Sequence, residues 1–74
     1  MQIGYSLCTP DKKKVLCIEK GSTKIKFLDT GIRTNLDKAL CLQSITSLKT
    51  IYDNFKEKKL VDELDIVDIQ ELYR

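Results

Sequence analysis

The stretch KVLCIEKGSTKIKF, residues 14–27, limits the fold more than any other part of the chain. Two runs of β-forming residues flank Gly21: Lys14 to Lys20, with Val15, Cys17 and Ile18, and Thr23 to Asp29, with Ile25 and Phe27. Glycine supplies the positive φ that a tight hairpin connection needs. In the second run Ile25 and Phe27 fall on one face and Lys24 and Lys26 on the other, the period of a half-buried strand. An antiparallel hairpin is therefore expected here.

The remaining segments extend that sheet. Ile3, Tyr5 and Leu7 alternate with Gly4, Ser6 and Cys8, which predicts a first strand. Thr9-Pro10-Asp11-Lys12 reads as a turn, with proline setting φ and aspartate tolerating turn geometry. Thr30 to Asn35 has no clear period. Lys38 to Gln43 fits a fourth strand or the start of a helix capped by Asn35, and the strand is preferred. After Ser44, a good N-cap, Leu48, Ile51, Tyr52 and Phe55 form one helical stripe. Lys56, Lys58 and Lys59 end that helix, where its dipole favours positive charge. Asp65 to Leu72 alternates imperfectly and predicts a closing strand, with Val67 and Ile69 inward. The fold class is α+β: a small, mostly antiparallel sheet of four or five strands, in the order β-β-β-(β)-α-β. One helix packs on one face against Tyr5, Ile25, Phe27, Val67 and Ile69, and the lysine-bearing face is left to solvent.

Seventy-four residues make one domain, 1–74. So short a chain buries only about 60% of its unfolded surface, which favours an exposed docking face over a deep catalytic cleft. Cys8, Cys17 and Cys41 are odd in number and lie in apolar runs, a pattern of packing residues in a reducing compartment. No Cys-x-x-Cys pair or histidine is available for a tetrahedral metal site. The absence of histidine also removes the commonest general base near neutral pH. The three glycines are isolated, so no phosphate-cradling loop is present. The expectation is a non-enzyme without cofactor or metal. The N-terminus lacks the pattern of a signal peptide. The longest apolar runs fall far below the roughly 18 residues that span a bilayer. The expected location is the cytoplasm, without membrane contact.

Charge is divided along the chain. Residues 1–34 carry a net +4 and residues 61–74 a net −4. Lys12, Lys13, Lys14, Lys20, Lys24, Lys26 and Arg33 are candidates for contacting a partner or nucleic acid. Neutralising phosphates needs only positive charge, whereas base readout needs aromatic or arginine side chains on the same face. Arg33 is the one arginine in this region. Lysines on an edge strand also oppose sheet-to-sheet aggregation. Asp62, Glu63, Asp65 and Asp68 form a second candidate contact patch, of acidic character. Their spacing does not match a calcium-binding loop.

The pieces IGYSL, KVLCIEKGSTKIKF, KALCLQ, SITSLKTIYDNF and LDIVDIQEL, taken in order, resemble a loose class of small phage and prophage accessory proteins. The likeness covers nearly the whole chain as pattern, without shared catalytic residues. It implies a protein that binds and inhibits or modulates a host protein, such as a CRISPR-type defence factor, in the host cytoplasm. A nucleic-acid-binding accessory protein using the lysine hairpin is the alternative. Self-association through an open sheet edge is a third reading.

Overall fold

Val15, Leu16 and Cys17 are consecutive and all buried, as are Ser6, Leu7 and Cys8. A strand buried at successive positions must be covered on both faces. The computed structural model, which describes residues 1–19, 21 and 24–73, has this arrangement. Strands β1 (Tyr5–Cys8), β2 (Lys14–Ile18), β3 (Ile25–Asp29) and β4 (Asp65–Asp68) form one antiparallel sheet in the order β3-β2-β1-β4. Helix α1 (Arg33–Leu36) is a single turn, and helix α2 (Ile45–Glu57) is the main one. Ile69–Glu71 closes the chain as a 3-10 turn. The α+β class and the hairpin expected from the sequence are both present, with Lys14 opposite Asp29 and Ile18 opposite Ile25. Gly21 has φ +76° at the connection. Lys20, Ser22 and Thr23 lie outside the described residues.

Helix α2 begins where the sequence places it. The Ser44 hydroxyl accepts from the Ser47 N–H at 3.3 Å. Leu48 is fully buried against Leu7, Leu16 and Leu64, with Tyr5, Ile25, Tyr52, Phe55 and Ile66 around them. The Tyr52 hydroxyl accepts from Leu64 N–H at 2.9 Å, tying the helix to the approach of β4.

The opposite face differs from the expectation. It is not solvated. Cys8, Val15, Cys17 and Val67 are covered by Leu36, Ala39, Ile69 and Leu72. Val67 and Ile69 therefore pack away from α2, and the final segment leaves the sheet after Asp68, where the Asp68 carboxylate accepts from Gln70 N–H and starts the 3-10 turn. Phe27, expected in the core, is 38% exposed.

Lys38 to Gln43 forms neither the preferred strand nor a helix. It makes two single bridges, Ala39 to Cys17 and Leu42 to Tyr5. Strands β1 and β2 are matched only at Cys8 and Val15, near their connecting turn. Beyond that point they part, and residues 39–42 fill the opening. Leu40 N–H donates to Leu16 C=O at 3.0 Å, while Leu42 and Tyr5 exchange bonds of 2.9 and 2.6 Å. Ser6, the buried polar residue among those described, donates its hydroxyl to Leu40 C=O at 2.7 Å. The chain thus passes from the Leu36 core to the Leu48 core through a split in the sheet. Gly4 permits the close approach: its φ is +139°, and a Cβ there would lie 2.6 Å from the Leu42 oxygen.

Asn35, weighed above as an N-cap, lies inside α1 and donates its side chain to Asp29 C=O at 3.1 Å. The end of α1 is held from outside. Gln2 Nε2 donates to Leu36 C=O and Ala39 C=O at 2.8 and 3.0 Å, and Gln2 N–H donates to the Tyr73 hydroxyl at 3.1 Å. Tyr73 donates that hydroxyl to Asp37.

Three substitutions separate these contributions. Leu48→Ala should cost about 2–5 kcal/mol through the cavity it leaves. Ser6→Ala should cost about 1–3 kcal/mol by stranding the Leu40 carbonyl. Gly4→Ala should cost at least about 1–3 kcal/mol, because strain and a backbone clash coincide. Urea unfolding midpoints check all three; a neutral Ser6→Ala would contradict the role given to the split.

Candidate functional site

Among the described residues, the basic candidates are not gathered on one face. Lys12, Lys13 and Arg33 border a cleft of about 640 Å³ beside α1 and the β1–β2 turn. Asp11, Asp29 and Glu71 border the same cleft, so its charges balance. Two of these carboxylates are already committed locally. Asp11 accepts from the Thr9 hydroxyl at 2.6 Å and from Lys13 N–H at 3.0 Å, which holds it below its ordinary pKa of 3.8. Asp29 accepts from Gly31 N–H at 2.8 Å. Arg33 lies over the Tyr73 ring, 5.6 Å from its centre. Lys14 faces Asp29 across the hairpin. Lys24 and Lys26 sit toward the far end of β3, and Lys20 lies outside the described residues.

The acidic candidates are separated too. Asp62 and Glu63 precede β4, and Asp65 and Asp68 are its first and last residues. Glu63 pairs with Lys56 at 2.9 Å; that contact lowers the Glu63 pKa and raises that of Lys56. Asp65 and Asp68 border a shallow depression that also receives Lys12.

What the fold does assemble is an edge. Strand β3 has one neighbour in the sheet, β2. Glu19 N–H donates to Lys24 C=O, and Thr30 N–H donates to Lys13 C=O. By the alternation of an antiparallel ladder, residues 24, 26, 28 and 30 turn their backbone groups toward β2, and Ile25 and Phe27 turn theirs outward. The outward Asp29 C=O already accepts from Asn35 Nδ2.

A groove flanks each face of this edge. On the α2 side Phe27, Pro10, Leu60, Val61 and Leu64 line about 480 Å³, and Lys59 and the acidic candidates Asp62 and Glu63 border it. Leu60 is 54% exposed, so two large apolar side chains from distant parts of the sequence meet solvent together. On the other side Cys17, Ile18 and Leu28 floor a groove of about 410 Å³, bordered by Lys26, Lys38 and Glu19. Leu60 and Lys38 were not singled out by the sequence reading. Leu60 follows the lysines that end α2, where Lys59 adopts φ 58°, and its meeting with Phe27 depends on tertiary packing.

The chemistry of the described residues is limited. Burial raises the thiol pKa of Cys8 and of Cys17 above the ordinary 9.0, although Lys26 and Lys38 oppose this at Cys17. Both are therefore protonated at neutral pH and poor nucleophiles. Among the described residues, no cluster of three potential ligands is placed to hold a metal ion, and no helix is long and apolar enough to cross a membrane. No family model, curated protein or solved structure matches the chain.

Thiol titration with a disulfide reagent should modify Cys41, the half-buried cysteine, first. Cys8 and Cys17 should react only at the rate of unfolding; rapid modification of all three would contradict their burial. Acid should also weaken the fold. Asp11 and Glu63 both have lowered folded-state pKa values, so their contribution is present above about pH 5 and is lost as pH falls through those values. Asp11→Asn should lose less thermal stability than the parent between about pH 6 and pH 3; equal losses would contradict this assignment.

Proposed function

We propose that this chain is a small, non-enzymatic protein-interaction module that binds and modulates a host protein in the host cytoplasm. The sequence pattern of phage and prophage accessory proteins supports a phage or mobile-element origin. It also favours inhibition of a defence factor, of the CRISPR type, as the outcome. The observation that carries the interaction reading is the Phe27–Leu60 surface beside the open edge of β3. Apolar side chains exposed together at an unpaired edge are a feature of docking surfaces.

The dispersal of the cations argues against the nucleic-acid alternative. Phosphate binding is strongest where several cations follow one backbone. Here Lys12, Lys13 and Arg33 share their cleft with three carboxylates, and Lys26 is on another part of the surface.

Tagged protein and its Leu60→Glu variant should be compared as baits in bacterial lysate, with and without nuclease. Leu60 is exposed, so the variant should fold with a stability change of about 0.5 kcal/mol or less. The parent should retain a protein in stoichiometric amount after nuclease treatment, and Leu60→Glu should reduce it by at least about tenfold, the loss expected when a central apolar contact is replaced by a charge. Capture that disappears with nuclease would favour nucleic acid. Capture unaffected by Leu60→Glu would remove this surface from the account.

A further inference from the structure

We propose that β3 is a strand-docking edge whose occupant is an extended segment of a partner protein with alternating apolar and acidic residues. This rests on the protein-interaction reading and adds the chemistry of the partner.

The backbone provides the first argument. Ile25 and Phe27 present their N–H and C=O groups away from β2, so an added strand has consecutive outward positions to pair with. Added strands direct successive side chains to opposite faces of the sheet. Here the faces differ in character. One side of the edge offers Phe27, Leu60 and Val61, with the carboxylates Asp62 and Glu63 and the single cation Lys59 on its border, a net negative rim that disfavours acidic side chains there. The other offers Lys26 and Lys38 at an apolar groove, with Glu19 as the carboxylate on its border. An incoming strand that is apolar on the first side and carboxylate-bearing on the second matches both. Such a strand gains opposite-charge pairs as well as backbone hydrogen bonds.

The same charges disfavour a second copy of this chain as the occupant. Two β3 strands paired about a two-fold axis in the register that uses both outward positions, Ile25 against Phe27, would set the Lys26 residues of both copies opposite each other. Like charges across a strand pair are destabilising.

The test uses two blocked eight-residue peptides, one alternating valine with glutamate and the other valine with lysine. They are titrated into isotope-labelled protein and followed by NMR. The valine–glutamate peptide should shift the Ile25 and Phe27 amides and bind at least about 10-fold more tightly than the valine–lysine peptide, given the opposite signs of their cross-strand charge pairs. Lys26→Glu combined with Lys38→Glu should invert that preference. Both lysines are exposed, so this variant keeps the test decisive if others unfold. Phe27→Pro should abolish binding while leaving the β2 ladder in place, because its lost N–H faces outward.

Equal binding of the two peptides, shifts centred on β4, or unchanged binding by Phe27→Pro would each overturn the proposal. So would a peptide-free dimer already paired through Ile25 and Phe27. The two readings fail separately. If Phe27→Pro still captures the lysate protein, the interaction reading stands and strand docking falls. If the valine–glutamate peptide binds as described but no lysate protein is captured, strand docking stands and the host-protein reading falls.

Discussion

The fold depends on how one short segment satisfies the backbone of a divided sheet. Where β1 and β2 part, each presents hydrogen-bonding groups to the gap. Buried groups of this kind must be paired. Residues 39–42 provide the partners: Leu40 for β2, Leu42 for β1, and the Leu40 carbonyl for the Ser6 hydroxyl. Water could not enter this position without exposing Leu7 and Leu16, both fully buried. The segment is therefore a structural element, although it never forms a ladder of its own.

That crossing explains why 74 residues support two small cores. A single helix on a single sheet face would leave Cys8, Val15 and Cys17 in water. By passing through the split, the chain places α1 and Leu36 on one face before it places α2 and Leu48 on the other. The terminal segments complete the cover, with Gln2 and Tyr73 meeting at the end of α1. The arrangement uses the strands at the centre and leaves β3 and β4 as edges. β4 is bounded by Asp65 and Asp68. β3 instead carries Phe27 to the surface.

The sequence conveyed local structure well and long-range structure poorly, for physical reasons. The hairpin about Gly21 and the helix begun by Ser44 are specified by near neighbours, and both were legible. So was the turn after Thr9. The second covered face had a signal that an alternation reading passed over: Val15-Leu16-Cys17 is apolar at successive positions, the mark of a strand buried on both sides. The behaviour of residues 38–43 was not legible, because a segment with single bridges to two different strands has no period. Of the candidate contact residues, Lys26, Asp62 and Glu63 border the grooves of the edge site, whereas Lys12, Lys13 and Arg33 share a charge-balanced cleft and Asp65 and Asp68 border a separate depression. Alternation puts Phe27 on the core-facing side but gives no extent of cover, and α2 does not reach the edge strand completely, so Phe27 is exposed.

Native-state hydrogen exchange at individual amides tests the central claim most directly, since the split sheet and the open edge make opposite demands on the backbone. The account predicts that Tyr5, Leu40 and Leu42 exchange only through global unfolding. It predicts that Lys26 and Leu28 are protected while Ile25 and Phe27, between and beside them, exchange rapidly. Fast exchange at Leu40 and Leu42, or protection of Ile25 and Phe27 equal to that of Lys26 and Leu28 in the monomeric protein, would contradict it.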